Sequence, residues 1–220
     1  IPRGRAKQRG GSMKVRLGDV ATVINGVTYK PSDVKQPLCN NSIPILRATN
    51  IQNGTLDLSD TVYIDVNKIV QHQILKKGDI VICASSGSKN LVGKAAQVTT
   101  VTPLSFGSFC KVVRPNNIEP DYLYYFFQSP LYRHLISEAS IGANINNIRN
   151  SHILELQIPV PDINKQNIIC KRLNFLSNQI KKRNKQVLIL DQLVKSRFME
   201  MFGEHKFELT QLDNICNFID

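Results

Sequence analysis

No stretch of this chain approaches the ~20 consecutive apolar residues that a membrane-spanning helix needs, and no secretory hydrophobic region is found in it. A membrane partner is therefore not expected. The five cysteines (Cys39, Cys83, Cys110, Cys170 and Cys216) are odd in number, scattered, and form no CxxC pair. They read as reduced, buried thiols of a cytoplasmic protein. The four histidines (His72, His134, His152 and His205) are as scattered, so no metal site is expected. Catalytic signatures are missing as well. There is no GxGxxG and no GxSxG. Gly87 to Ala95 resembles a phosphate-binding loop, but its spacer is one residue too long and Ala95 has no hydroxyl for Mg²⁺. Asp19, Asp57, Asp60 and Asp65 stand in separate local contexts and propose no carboxylate pair. Neither a methyltransferase or nuclease active site nor a bound cofactor is expected within this chain.

What the chain does have is an ordinary core and an excess of positive charge. Its 220 residues suffice for one or two domains, and 42% hydrophobic residues argue against wholesale disorder. Net charge is +11; Ile1–Ser12 carries four cations, no acid and a Gly-Gly-Ser end before Met13, and reads as a tag remnant. Setting aside those four cations leaves +7 on the body, a balance that favours a polyanionic partner, most simply nucleic acid.

The longest uninterrupted pattern runs from Asp162 to Phe202, directly after Pro159-Val160-Pro161, without Gly or Pro until Gly203. Written as heptads, Leu173, Ile180, Val187, Val194 and Met201 occupy a, and Leu176, Arg183, Leu190 and Arg197 occupy d. Seven of these nine seam positions are apolar, the 3.5-residue period of a two-helix seam. Such a helix spans roughly 60 Å. It either meets a partner helix or folds back on its own core. Arg183 and Arg197 at d would be costly in a dry seam, so the packing there is expected to be open, paired with acids, or turned toward another subunit.

The preceding residues read as a mixed α/β domain without regular alternation. Leu17, Val20, Ala21 and Ile24 suggest the buried stripe of one short helix, and Ile43–Arg47 a strand whose Pro44 marks an edge or a start. Asn53-Gly54 is a turn, Val66–Leu75 a short helix, and Ile80–Ala84 a buried strand. Val92–Thr100 and Ser108–Val113 have strand character. Helix is expected from Pro120 through Phe127 and again after Pro130 to Glu138, with its aromatic stripe more naturally core than a base-stacking platform. Ile153–Val160 reads as a last strand.

Polar loops between these elements carry groups suited to nucleic acid, since Lys and Arg match phosphates and guanine edges and Asn can bond bidentately to adenine. The candidates are Lys30 and Lys35; Arg47 and Asn50; Ser85, Ser86, Ser88, Lys89 and Asn90; and Asn144, Asn146, Asn147 and Arg149. The bland alternative for each is a solvated loop residue or a turn former. Near the end, Leu212, Ile215, Cys216, Phe218 and Ile219 repeat the apolar pattern of Leu17, Val20, Ala21, Val23 and Ile24 at a spacing of 195 residues. This suggests the start of a second copy of the domain.

Five motifs stand in an order similar to that of the specificity subunits of type I restriction–modification systems. They are Leu17-Gly18-Asp19-Val20; Ile43 through Ile51; Leu75-Lys76-Lys77-Gly78-Asp79-Ile80-Val81-Ile82; Pro120-Asp121-Tyr122-Leu123-Tyr124-Tyr125-Phe126; and Leu156 through Pro161, with Gln166 before the long helix. The resemblance implies a target recognition domain (13–161) that reads one half of a bipartite double-stranded DNA site through the major groove. It implies a spacer helix (162–202) packed as an antiparallel coiled coil against its counterpart, and the opening of a second recognition repeat (203–220). It further implies a subunit that is not itself an enzyme, with S-adenosylmethionine and ATP handled by the methyltransferase (modification) and restriction subunits. Because the sequence holds one recognition domain and one helix, two copies would pair as a homodimer through Leu173, Leu176, Ile180, Val187, Leu190 and Val194. The alternative from another class is a protein-interaction adaptor whose helix recruits a partner without direct DNA contact.

Overall fold

Ile80-Val81-Ile82-Cys83 is buried on every residue, as a short β-branched run must be when both faces of its strand are covered. Each such side chain taken out of water contributes about 1.5–3 kcal/mol, which lets a four-residue strand anchor a fold. The computed structural model that shows this describes residues 14–37, 41–88, 91–99, 103–140 and 147–203, without the side chains of 139 and 140. In chain order its elements are β1 (Lys14–Arg16), α1 (Leu17–Val20), β2 (Ala21–Asn25), a 3-10 turn (Pro31–Asp33), β3 (Val34–Lys35), β4 (Ser42–Leu46), a 3-10 turn (Ala48–Asn50), β5 (Ile51–Gln52), β6 (Thr55–Leu56), β7 (Val62–Asp65) and 3-10 turns at Val66–Lys68 and Gln71–Gln73. There follow β8 (Ile80–Cys83), β9 (Ala95–Gln97), β10 (Ser105–Phe106), β11 (Cys110–Pro115), α2 (Pro120–Gln128), α3 (Pro130–Ser140), α4 (Asn150–Leu154), β12 (Gln157–Pro159) and α5 (Ile163–Phe202).

The chain divides into two compact units, Ile1–Cys170 and Lys171–Asp220. In the first, β2-β11-β8-β9 form an antiparallel central sheet. Side-chain alternation splits its contacts between two layers. Ile80, Ile82 and Val113 face a core with Leu123, Phe126, Phe127, Tyr132 and Ile153 from the helices. Val81, Cys83 and Val112 face the opposite way, toward Leu46, Ile51 and Phe106. The second sheet, β10-β4-β7-β3, is antiparallel except for the β10–β4 pair. The aromatic stripe of α2 serves the core as expected: Phe126 and Phe127 lie 5.9 and 4.6 Å from the Tyr132 ring, centroid to centroid. The free thiols of Cys83, Cys110 and Cys170 are buried too, and loss of hydration pushes Cys83 and Cys110 up to about 11 and about 12.

Several expectations need correcting. The helix foreseen from Leu17 lasts only to Val20, because the β-branched Val23 and Ile24 pair with Val113 and Val112 of β11. Val66–Leu75 is two separate 3-10 turns instead of one helix. The side chains there cap locally: Asp65 Oδ1 accepts from Asn67 N–H, and Gln73 Oε1 from Val70 N–H. Strand character at 92–100 contracts to Ala95–Gln97, and the strand foreseen over Ile153–Val160 to Gln157–Pro159. Ile153 itself belongs to α4, where it fills the helical core. Pro44 lies within β4 rather than at an edge strand, tolerated because β10 pairs only with Ile45 and Leu46 and leaves that side open at Pro44.

The helix after Pro161 forms as its period predicts, Ile163–Phe202, with Asp162 Oδ1 accepting Lys165 N–H at 3.0 Å. That hydrogen bond, followed by the Lys165 side chain, holds the Asp162 carboxyl below its usual range. Its first two turns belong to the first unit. Gln166 is buried there, accepting from Glu119 N–H at 2.9 Å and donating to Pro161 O at 2.7 Å, so it secures the start of α2. In the second unit the helix exposes Leu176, Ile180, Val187, Leu190 and Val194, with Leu173 half-buried. No described helix is long and apolar enough to cross a membrane. The proposed repeat at 212–219 lies outside the described residues.

Candidate functional site

Gly26 decides the geometry of the cleft described next. A Cβ at this position would stand 2.0 Å from Gly107 O, so only glycine permits the approach that lets Val27 N–H donate to Phe106 O at 2.8 Å. The weld fixes the loop after β2 beside the loop after β10. Between them opens a cleft of about 650 Å³ whose walls also include the residues following β4 and β8.

Tyr29, Val34, Val62 and Phe109 supply its apolar surface, and Arg47, Thr49, Ser85, Ser86 and Ser108 its polar groups. Phe109 is 65% exposed, an unusual state for an aromatic side chain so close to a core. Arg47 donates from Nη2 to Asp60 Oδ2 at 2.6 Å, but Asp60 is 82% exposed and the pair is worth about 0–1 kcal/mol, so it is easily exchanged for another anion. Arg47 Nε is buried without a hydrogen-bond partner among the described residues.

Most of the described candidates gather around this cleft. Lys30 and Lys35 are exposed on either side of the Pro31–Asp33 turn, which contributes Pro31 to the wall. Asp33 secures that turn by accepting Lys30 N–H at 2.8 Å. This hydrogen bond, then the Lys68 ammonium 3.4 Å away, holds its carboxyl below the usual range. Ser86 lines the cleft and accepts Ser88 N–H, and Ser85 forms an antiparallel bridge with Asn147. Ile148 N–H donates to Ala84 O at 2.7 Å, so Asn147 and Ile148 are tied to the end of β8. Arg149 follows, exposed, at the start of α4. Lys89, Asn90, Asn144 and Asn146 lie outside the described residues.

Asn50 departs from the expectation. It is 2% exposed and its amide is consumed by the fold: Oδ1 accepts Arg47 N–H at 2.7 Å, and Nδ2 donates to Asp57 O and Asp60 O at 2.8 and 2.9 Å. A buried, saturated amide cannot present itself to a base edge. Asn50 instead shapes the loop that carries Arg47.

Sequence reasoning overlooked three features. Tyr29 and Phe109 were hidden because an apolar residue in a short turn looks like core; the Gly107-Ser108 turn before Phe109 was the available signal. Lys111, half-buried near the start of β11, donates to Asn25 Oδ1 at 2.7 Å and Asn150 Oδ1 at 2.6 Å, and burial lowers its pKa. Asp79 is 1% exposed and takes a bidentate grip from Arg114, Nε to Oδ1 at 2.9 Å and Nη2 to Oδ2 at 2.7 Å. The arrangement can bind and select a partially anionic, flat-edged surface. Among the described residues no group of three or more His, Cys, Asp or Glu side chains could hold a metal ion.

Comparison with known proteins adds the following. Residues 10–189 match the family model described as the type I restriction modification DNA specificity domain. The chain is 38% identical over 192 residues to the type I restriction enzyme StySPI specificity subunit of Salmonella potsdam, covering 87% of this chain and 42% of that protein. It is 40% identical over 180 residues to the EcoKI specificity subunit of Escherichia coli (strain K12), covering 81% of this chain and 39% of that protein. The chain thus spans less than half the length of these relatives. Among solved structures, the HsdS subunit from Thermoanaerobacter tengcongensis shares the fold at TM-score 0.60 and 19% identity, covering 84% of this chain and 42% of that one. A chain from a type I R-M system, studied for complex assembly and conformational transition, does so at TM-score 0.65 and 19% identity, with 89% and 45% covered.

Proposed function

Because this chain belongs to the type I restriction modification DNA specificity domain family, we propose that it is a non-catalytic reader of one half of a bipartite double-stranded DNA site. Its reading surface includes the rim of the cleft. Arg47 and Arg149 meet guanine edges or phosphates, Lys30, Lys35 and Lys89 meet phosphates, and Ser86, Ser88, Asn90, Asn144, Asn146 and Asn147 supply adaptable hydrogen bonds. Exposed Phe109 and half-buried Tyr29 supply apolar contact of the kind that thymine methyl groups accept. Residues 13–161 form the recognition domain, 162–202 the spacer helix, and 203–220 the opening of a second repeat. Two copies pair through the α5 seam, and the complex carries the methyltransferase (modification) and restriction subunits to the site in the cytoplasm.

The observation that carries this reading is convergence. Loops separated by up to about 120 residues, around Tyr29, Arg47, Ser86, Phe109 and Asn147, meet in one place on a basic chain with no evident catalytic constellation.

Selection of bound duplexes from a random pool is the test. The wild-type chain should enrich one short motif, arranged as an inverted repeat when two copies bind. Arg47→Ala should weaken binding by about 1–3 kcal/mol and relax the preference at one position. A pool that stays random would overturn the reading. Charge reversal at Lys89 and Arg149 that spares all DNA binding would favour an adaptor that recruits its partner by the helix alone.

A further inference from the structure

In the second unit, the face of α5 opposite the apolar seam is cationic. Lys171, Asn174, Asn178, Lys181 and Lys185 follow one another at steps of three and four residues, so they form a single stripe, and Lys182 lies beside it. At ~100° per residue this stripe projects about 160° away from the line through Leu173, Leu176, Ile180, Val187 and Val194. Its five side chains and that of Lys182 are exposed. No Asp or Glu occurs between Asp162 and Asp191, and among the described residues none of the four lysines has an acidic partner within salt-bridge distance. A solvated helix ordinarily intersperses acids at i±4 to relieve such repulsion. Here the like charges at Lys181 and Lys185 are left unrelieved. The stripe covers 14 residue steps, about 21 Å, which is the axial rise of about six base pairs.

We infer that this lysine stripe is a second, sequence-independent DNA contact, gripping duplex phosphates without reading bases. The inference rests on the proposed DNA-reading function and extends it to a surface that does no reading. Ammonium groups on long flexible stems suit phosphate oxygens without demanding a base, and the interleaved Asn174 and Asn178 can donate to the same oxygens. The seam, on the far side, stays free for another helix.

The experiment measures binding of the full chain to a duplex carrying its selected site, as a function of salt. The duplex is used at two lengths: the half-site alone, and the half-site with about ten further base pairs. The compared variants are Lys171→Gln/Lys181→Gln/Lys182→Gln/Lys185→Gln and the corresponding four Lys→Arg changes. With the Gln variant, the log–log salt slope on the long duplex should fall by about 0.9 per lost contact, up to about 3.6. The slope on the short duplex and the selected motif should not change. The Arg variant should keep the wild-type slope on both, which separates charge from helix damage. An unchanged slope for the Gln variant on the long duplex, while the wild type still selects its motif, overturns the stripe and leaves the reading function standing. The same holds if the Gln variant loses only a protein partner or its oligomeric state, which would make the stripe a protein-docking face. A wild type that binds no DNA overturns both.

Discussion

Arg47 and Asn50 stand three positions apart, and the fold uses them in opposite ways. Arg47 is anchored by an exposed carboxylate and keeps an unused donor, whereas Asn50 has every amide atom engaged inside the loop. Removing the Asn50 amide leaves Arg47 N–H and Asp57 O without their partner at a part-buried site, and Asp60 O with only the 3.3 Å bond from Arg47 Nη2. Asn50→Ala should therefore cost about 2–3 kcal/mol in urea unfolding, since each orphaned buried group costs about 1–3 kcal/mol. Arg47→Ala should cost no more than about 1 kcal/mol of stability and act on DNA affinity instead. An Asn50→Ala chain that is as stable as the parent but blind to its site would reverse this assignment. From sequence alone the two residues looked equivalent, both polar and both in a loop. Burial separated them, and burial at Asn50 is decided by carbonyls seven and ten residues downstream that no local pattern announces.

The elements that sequence made legible are those whose signal is local. The α5 heptads, the apolar run of β8 and the Asn53-Gly54 turn each carry their instruction within a few residues; Asn53 and Gly54 take φ values of 50° and 76°, as a tight hairpin between β5 and β6 requires. The elements misread are those decided by distant partners. Val23 and Ile24 become strand because β11 is there to pair with, and Ile153 joins α4 instead of the last strand because its side chain fills the helical core. The cleft was the least legible feature, since it depends on two loops 80 residues apart touching backbone to backbone at Gly26 and Gly107. Gly26→Ala should drive those loops apart and cost about 3 kcal/mol, the upper end for forcing an atom into a packed site. Gly87, whose added Cβ meets nothing within 4 Å, provides the control, and Gly87→Ala should stay within about 0.5 kcal/mol of the parent. Denaturant midpoints for the two variants check both values. Equal midpoints would mean that the weld does not hold the cleft.

For the molecule as a whole, the second unit presents apolar side chains that a soluble chain does not leave bare without use, among them Leu176, Ile180, Val187, Leu190 and Val194. On the pairing proposed above, Val187→Asp with Leu190→Asp should weaken self-association by about 100-fold or more, because a seam cannot hydrate a charge. Sedimentation or light scattering across a concentration series would read this directly, and a parent chain that is monomeric throughout would end the pairing idea. The first unit has a different property that follows from its smallest sheet. β1 and β12 run antiparallel with Lys14 opposite Pro159 and Arg16 opposite Gln157, so the chain leaves this ribbon and returns to it at nearly the same point. Everything between Leu17 and Leu156 is in effect a cassette on a two-strand clasp. On the function proposed above, a genetic exchange with breakpoints in the two clasp strands would replace the cleft and its rim while leaving α5 untouched, giving such a protein a route to a new target in a single recombination.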